Sequence, residues 1–178
     1  IAALIETHDR AETQAKLAGL PQLARKPVIH KGRALTEMDL DGLLARKPAL
    51  ALIDELAHTN ADGSRHEKRW QDVEEVLAAG IDVYTTLNIQ HIETLNETVA
   101  RITGVRVRET VPDGALEMAD EIELIDLPPD ELVDRLKQGK VYPADQATRA
   151  LGSFFVKGNL TALRELAMRA AADRVDAQ

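Results

Sequence analysis

The chain has 178 residues, 44% hydrophobic and 29% charged, with a formal net charge of −8 and no cysteine. That length carries one domain with a real core, in the composition of an ordinary soluble globule. The acidic balance argues against non-specific nucleic-acid binding, the lack of cysteine excludes disulfides and thiolate metal sites, and no apolar run reaches the ~20 residues that span a bilayer.

In chain order, Ala2-Ala3-Leu4-Ile5 reads as a short strand ending in Glu6-Thr7-His8, with Asp9 placed to cap a helix that Gly19 and Pro21 close. Residues 20–31 carry Pro21 and Pro27 and read as irregular chain or a short edge strand. Thr36-Glu37-Met38-Asp39 fits a capping box, opening a helix through Leu40, Leu43 and Leu44 that ends before Pro48. Leu50-Ala51-Leu52-Ile53 is an apolar strand buried on both faces, as in a parallel sheet. Trp70, Val73 and Leu77 then recur at helical spacing over residues 66–79, stopped by Gly80. Residues 81–87 form the next strand, and Ile92, Leu95, Val99 and Ile102 a 3.6-period stripe ended by Gly104. Residues 105–111 alternate apolar and charged, which suits an edge strand, and Pro112-Asp113 starts a short helix through Met118. Residues 121–126 read as another strand, and Pro128-Pro129-Asp130-Glu131 opens a helix closed by Gly139. Strands alternating with helices mean βα units and a mainly parallel sheet. From residue 145 to 178 only helix is expected: Ala147, Leu151 and Phe154 form one stripe, and Leu160, Leu163 and Ala170 a second, after an Asn159 N-cap.

The chemistry gathers at strand ends. The 50–53 strand stops in Asp54 and Glu55, and two carboxylates there need water, a cation or hydrogen bonds to receive them. Open α/β sheets keep ligands at that end of their strands, and in P-loop nucleotidases such an acid holds the nucleotide's magnesium directly or through water. Asp54 is thus a Walker B candidate holding Mg2+ with a nucleotide, and Glu55 a candidate for orienting water or acting as a base. An ordinary acid pair at a strand end is the other reading. Thr7 and His8 fall on the same rim, for phosphate or metal, or else as a helix-start turn. Cations near a helix start, Arg65 and Arg69 among them, oppose the macrodipole unless an anion sits between them. A solvated basic face partnered by Glu67, Glu74 and Glu75 is the alternative. Asn88 and Gln90 follow another strand and would sense the terminal phosphate, or cap the next helix. The five histidines lack the tight pairing of a zinc site, so magnesium is the metal expected.

Much of this wording resembles one family, the N-terminal cytoplasmic domain of KdpD-type sensor histidine kinases. The resemblance lies in Asp54-Glu55-Leu56-Ala57-His58-Thr59-Asn60, Gly63-Ser64-Arg65-His66, Lys68-Arg69-Trp70-Gln71-Asp72-Val73 and Asp82-Val83-Tyr84-Thr85-Thr86-Leu87-Asn88-Ile89-Gln90-His91. It continues through Arg108-Glu109-Thr110-Val111-Pro112-Asp113, Asp126-Leu127-Pro128-Pro129 and Asn159-Leu160-Thr161-Ala162-Leu163-Arg164-Glu165, so it covers residues 1–178 as one domain. It implies an α/β, three-layer, P-loop-nucleotidase-like parallel sheet with a C-terminal helical pair. The family's first strand and P-loop are expected to be missing, since no G-x-x-x-x-G-K-[ST] occurs in the sequence. The implied function is a regulatory ATP-binding domain of a two-component potassium or osmotic sensor kinase. ATP with Mg2+ is the cofactor in the intact domain, bound weakly by this segment. The kinase core and phosphoacceptor histidine lie in later parts of the family's chain. Implied partners are the downstream domains of that kinase and its response regulator, with no nucleic acid and no direct membrane insertion, on the cytoplasmic side of a bacterial inner-membrane protein. The alternatives are a non-catalytic interaction module of that kinase, or a free-standing P-loop nucleotidase or nucleotide transferase.

Overall fold

A computed structural model describes residues 1–30, 32–142 and 144–176. The chain divides into two compact units, Ile1–Leu87 and Asn88–Gln178.

The first unit begins with β1 (Ala2–Leu4), buried along its length, and α1 (Ala11–Leu17). Asp9 does not cap that helix. Arg10 is the N-cap, without a side-chain hydrogen bond, while His8 and Asp9 turn the chain at φ 47° and 59°. A cap needs extended backbone immediately before the first helical residue, and Asp9 is neither extended nor adjacent.

β2 (Lys26–His30) and β3 (Arg33–Glu37) form an antiparallel hairpin in which Lys26 faces Glu37 and Pro27 faces Thr36. Thr36 and Glu37, expected to open a helix, therefore end a strand. Pairing with β2 holds them extended, and Asp39, nearer the helix, serves as the cap. Its carboxylate accepts from the Gly42 N–H at 3.2 Å at the start of α2 (Leu40–Arg46), and Lys47 ends that helix in a left-handed turn before Pro48.

β4 (Leu50–Ile53) is the apolar strand, with Ala51 and Ile53 fully buried but Leu50 and Leu52 only half-buried, so one face rather than both is closed off. An antiparallel bridge between Thr59 and Lys68 keeps the chain before α3 (Arg69–Ala78) extended, so the helix starts three residues later than its spacing suggests. Its inward face carries Arg69, Asp72, Val73 and Val76, whereas Leu77 is exposed. The spacing picked the right helix and a face turned slightly too far round.

β5 (Asp82–Thr85) follows Gly80, which closes α3 at φ 77°. The sheet runs β1-β4-β5, all parallel, with Leu50 opposite Asp82 and Ile53 opposite Thr85. β4 is paired along both sides, so its carbonyl and amide groups are satisfied within the sheet.

The second unit opens with 3-10 turns at Ile89–His91 and Glu93–Leu95, then α4 (Asn96–Thr103), which Gly104 ends in the left-handed conformation. α5 (Asp113–Glu117), α6 (Pro129–Lys137), α7 (Ala144–Leu151) and α8 (Lys157–Asp176) follow. The two strands expected here do not form. Residues 105–111 are extended but pair only where Val111 bridges Ile92, and the Asn96 amide takes the Val107 carbonyl at 2.8 Å. Residues 121–126 run without a ladder, leaving Ile125 81% exposed. An alternating pattern specifies a face but needs a neighbouring strand to become a sheet, and none is offered among the described residues of this unit.

In the tail Leu160 and Leu163 are buried where α8 meets α4 and α6, while Phe154 is half-buried and packs edge-on against Phe155. Asn159 lies inside α8 rather than at its N-cap, and its amide donates back to the Ser153 and Phe154 carbonyls. No helix among the described residues is long and apolar enough to cross a membrane. The architecture is a mixed α/β one built on a small parallel sheet.

Candidate functional site

Because β1, β4 and β5 are parallel, the segments leaving them emerge at one rim of the first unit. There the carboxylate of Asp54 collects three donors. The Glu6 N–H reaches Oδ2 at 3.1 Å, the Glu55 N–H reaches Oδ1 at 3.0 Å, and the Thr86 hydroxyl also donates to Oδ1. These bonds fix the carboxylate's orientation and leave acceptor capacity on Oδ2. Glu55 sits in the left-handed region at φ 55°, and its N–H also reaches Thr86 Oγ1 at 3.1 Å. Its carboxylate meets His8 Nε2 at 2.7 Å, and His8 is itself left-handed. Two turns with strained backbone thus face each other across the rim through one His–carboxylate contact. Arg25 grips the Glu6 carboxylate at 3.0 and 3.3 Å and the Ile5 carbonyl at 2.7 Å, holding the β1 exit. Thr7 is half-buried in the same turn, its carbonyl accepting from the Arg10 N–H at 2.9 Å.

Arg69 lies beneath this rim. It is 2% exposed, the largest fully buried side chain among the described residues. Nη1 donates to the carbonyls of Asp54 at 2.9 Å and Glu55 at 3.4 Å, and Nη2 lies 3.5 Å from Glu37 Oε2. Burial pulls the guanidinium below its ordinary pKa, and Glu37 is the foremost of the carboxylates that oppose this. Glu37 in turn accepts from the Ala61 N–H at 2.8 Å and meets His58 Nε2 at 3.2 Å. Alongside, the Asn60 amide donates to the buried Asp72 carboxylate at 2.7 Å, while burial raises the Asp72 pKa.

The cationic loop is partnered within the protein. Arg65 bonds Glu75 and Asp41, His66 Nε2 lies 2.7 Å from Glu75, and Lys68 Nζ donates to Thr59 Oγ1 at 2.7 Å. Glu75 is held below the usual carboxylate range, first by the His66 hydrogen bond. Of the residues picked from sequence, Asp54, Glu55, Thr7 and His8 therefore meet at one rim, Arg69 is buried under it, and Arg65 is paired along α3. Asn88 and Gln90 open the second unit. Asn88 is exposed, with its carbonyl accepting from the His91 N–H at 3.0 Å, and Gln90 is half-buried.

Two residues escaped the sequence reading. Thr86 was legible in principle, since aligning the ends of β4 and β5 sets Ile53 against Thr85 and hence Asp54 beside Thr86. Glu37 was hidden by its assignment to a helix cap. The donors of the rim are oxygens, the chemistry that suits a hard divalent cation rather than zinc. Among the described residues no three His, Cys, Asp or Glu side chains gather to hold a metal ion. Magnesium would fit at Asp54 only with water and ligand oxygens completing its shell.

Over residues 1–175 the sequence matches the family described as KdpD, the osmosensitive K+ channel His kinase sensor domain. It is 60% identical over 178 residues to Sensor protein KdpD of Escherichia coli (strain K12), which covers all of this chain and 20% of that protein. Sensor protein KdpD of Clostridium acetobutylicum is 56% identical over 172 residues, covering 97% of the chain and 19% of the relative. The Mycobacterium tuberculosis (strain ATCC 25618 / H37Rv) Sensor protein KdpD is 47% identical over 174 residues, covering 98% and 20%. The chain thus spans about a fifth of the length of these relatives. With the family matched across nearly its entire length, this chain belongs to the KdpD osmosensitive K+ channel histidine kinase sensor domain family.

Proposed function

We propose that this chain is a regulatory, MgATP-binding domain of a two-component sensor histidine kinase that responds to potassium or osmotic conditions. The observation that carries the reading is the rim itself. Three parallel strands end together, and the middle one delivers an acid, Asp54, whose carboxylate is oriented by donors from both neighbouring strand exits. This is the setting in which P-loop nucleotidases place their metal-side acid. A magnesium ion bound there would neutralise phosphate charge. Asp54 would hold that ion, directly or through water. Glu55, steadied by His8, would orient a water molecule. Thr7 and His8 would receive a phosphate, with Arg65 as a further candidate of the first unit. The three-layer P-loop-like fold belongs to the same proposal. The G-x-x-x-x-G-K-[ST] cradle, whose backbone N–H groups supply most phosphate grip, does not occur in these residues, so the segment alone is expected to bind ATP at millimolar affinity or weaker. The sensor role rests on the family's description and the relatives' names, and the response regulator and downstream domains as partners, at the cytoplasmic face of a membrane protein, belong to the same proposal.

A second reading is favoured by one observation. Ile122, Leu124 and Ile125 form an exposed apolar stretch, as a non-catalytic interaction module would use. Calorimetric titration of the full-length protein and its Asp54→Ala variant with ATP, with and without Mg2+, separates the two. The nucleotide reading expects magnesium to tighten binding in the first and not in the second. Equal binding by both proteins removes Asp54 from a metal site, and no ATP binding to this domain leaves the interaction module.

A further inference from the structure

The acid rim depends on an unusual backbone turn, and the cause of that turn lies beneath it. Glu55 adopts φ 55°, a conformation that L side chains disfavour. It is this turn that aims the Glu55 N–H at Asp54 Oδ1 and Thr86 Oγ1. The two carbonyls flanking it, of Asp54 and Glu55, are both reached by Arg69 Nη1, at 2.9 and 3.4 Å, and the Glu55 carbonyl also accepts the His58 N–H at 3.0 Å. A guanidinium is suited to this because its donors stand in a fixed plane, whereas a lysine ammonium is a point donor on a flexible stem. Arg69 is 2% exposed, and among the described residues its Nε has no partner and its one ion pair, to Glu37, is long at 3.5 Å. Buried charges placed for stability alone are commonly matched or bettered by apolar residues of similar volume.

We infer that Arg69 is a positioning residue for the Asp54–Glu55 corner: it holds the two carbonyls so that Glu55 stays left-handed and the Asp54 carboxylate keeps its orientation, with Glu37 as the counter-charge that anchors it to the end of β3. This deepens the proposed nucleotide reading and rests on it only for its consequence in ligand binding. Arg69 is thereby assigned to the inside of the site rather than to the phosphate. The chain from Glu37 through Arg69 to Asp54 also links the β2–β3 hairpin to the rim.

The test uses the full-length protein with Arg69→Lys, and Asp54→Ala as the control, in two measurements. The first is amide hydrogen exchange without nucleotide, followed by mass spectrometry. Arg69→Lys is expected to speed exchange in peptides covering residues 54–58, where the Glu55 and Leu56 amides are bonded to Thr86, while other peptides of residues 1–87 keep their rates. Unchanged exchange at 54–58 overturns the inference. Faster exchange throughout residues 1–87 overturns it too, since Arg69 would then simply be part of the core. The second measurement is ATP affinity with and without Mg2+. Arg69→Lys is expected to lose roughly tenfold of the magnesium-dependent gain, with metal-free ATP binding unchanged, as for a group that orients a metal's ligand. A full magnesium gain in Arg69→Lys overturns the inference. If the wild-type protein shows no magnesium gain, the nucleotide reading fails, and the exchange measurement alone decides the role of Arg69.

Discussion

Two arginine–carboxylate pairs, one in each unit, show how little contact distance says about energetics. Arg69 and Glu37 touch at 3.5 Å with side chains 2% and 10% exposed, whereas Arg164 and Asp126 make a two-pronged contact at 2.6 and 2.5 Å with side chains 38% and 33% exposed. Burial dominates the first and lowers the pKa of Arg69, while the hydrogen bond dominates the second and raises that of Arg164. The poorer contact is the one that cannot lose a single partner cheaply, because neither charge has water to fall back on. The better contact competes with solvent at every moment. This pair of the first unit is thus internal framework, and that of the second unit is surface trim.

The largest effect should come from removing Glu37. Glu37→Ala leaves the Arg69 charge uncompensated and deprives the Ala61 N–H and His58 of their acceptor, so a loss of about 4 kcal/mol is expected. Replacing both partners, Glu37→Leu with Arg69→Met, should recover most of that stability, because no lone charge remains. Chemical denaturation of the three proteins checks this. A double variant as weak as the single one would mean that the pair itself, rather than its unpaired half, sets the stability.

A core leucine of the second unit comes next. Leu136 is fully buried in α6, and Leu136→Ala should cost about 3 kcal/mol through lost burial and the cavity left behind. Its effect on the Asp54 rim should be nil, as read by exchange at residues 54–58. Faster exchange there would show that the units are energetically coupled.

These contrasts bear on what the sequence could disclose. The 50–53 strand and its acids stood out because an apolar run ending in charge is a local pattern, and the parallel pairing followed from alternation of strands and helices. The stops at Gly80 and Gly104 were legible because φ values of 77° and 73° call for glycine. Arg69 reads from sequence as an anion-binding or a solvated cation, since nothing local announces that a charge will be buried, and its place is set by carbonyls some fifteen residues earlier in the chain. Thr36 and Glu37 satisfied a capping rule while a hairpin partner ten residues away held them extended. Residues 105–111 and 121–126 failed in the opposite sense, since their alternation is local but a ladder is not. Local signals held where they needed no partner, and failed where a tertiary partner, present or missing, decided the outcome.

A smaller effect is expected at Asp72, whose pKa burial raises. The folded protein then holds this proton more tightly than the unfolded chain. Its contribution to stability is greatest below the unfolded value near 3.8 and is lost as pH rises through the elevated folded value. Asp72→Asn can still accept the Asn60 amide through its own carbonyl, so it should remove the fall in stability between the unfolded and the elevated folded value and be no less stable than wild type at neutrality. Melting temperatures of both proteins from acid to neutral pH test it, and a parallel offset without a change in slope would count against a titrating Asp72.

The smallest effect belongs to Asp126 and Arg164, despite their short and two-pronged contact. Hydrogen bonding from Arg164 holds Asp126 below the usual carboxylate range. With its pKa lowered in the folded state, Asp126 adds stability above its unfolded value, and that contribution is lost as pH falls through the folded value. Both groups are a third or more exposed, so water and salt replace much of what the contact supplies. Arg164→Ala should therefore barely move the melting temperature at neutral pH in moderate salt. At about 1 M salt, where the Debye length falls to roughly 3 Å, any residual difference should shrink further. The pair would then serve to dock the extended 121–126 segment onto α8 rather than to stabilise the fold, and Arg164→Ala should speed amide exchange in that segment alone. A loss of stability as large as that of Glu37→Ala would mean that the contact is shielded from solvent, and the contrast between the two units would not hold.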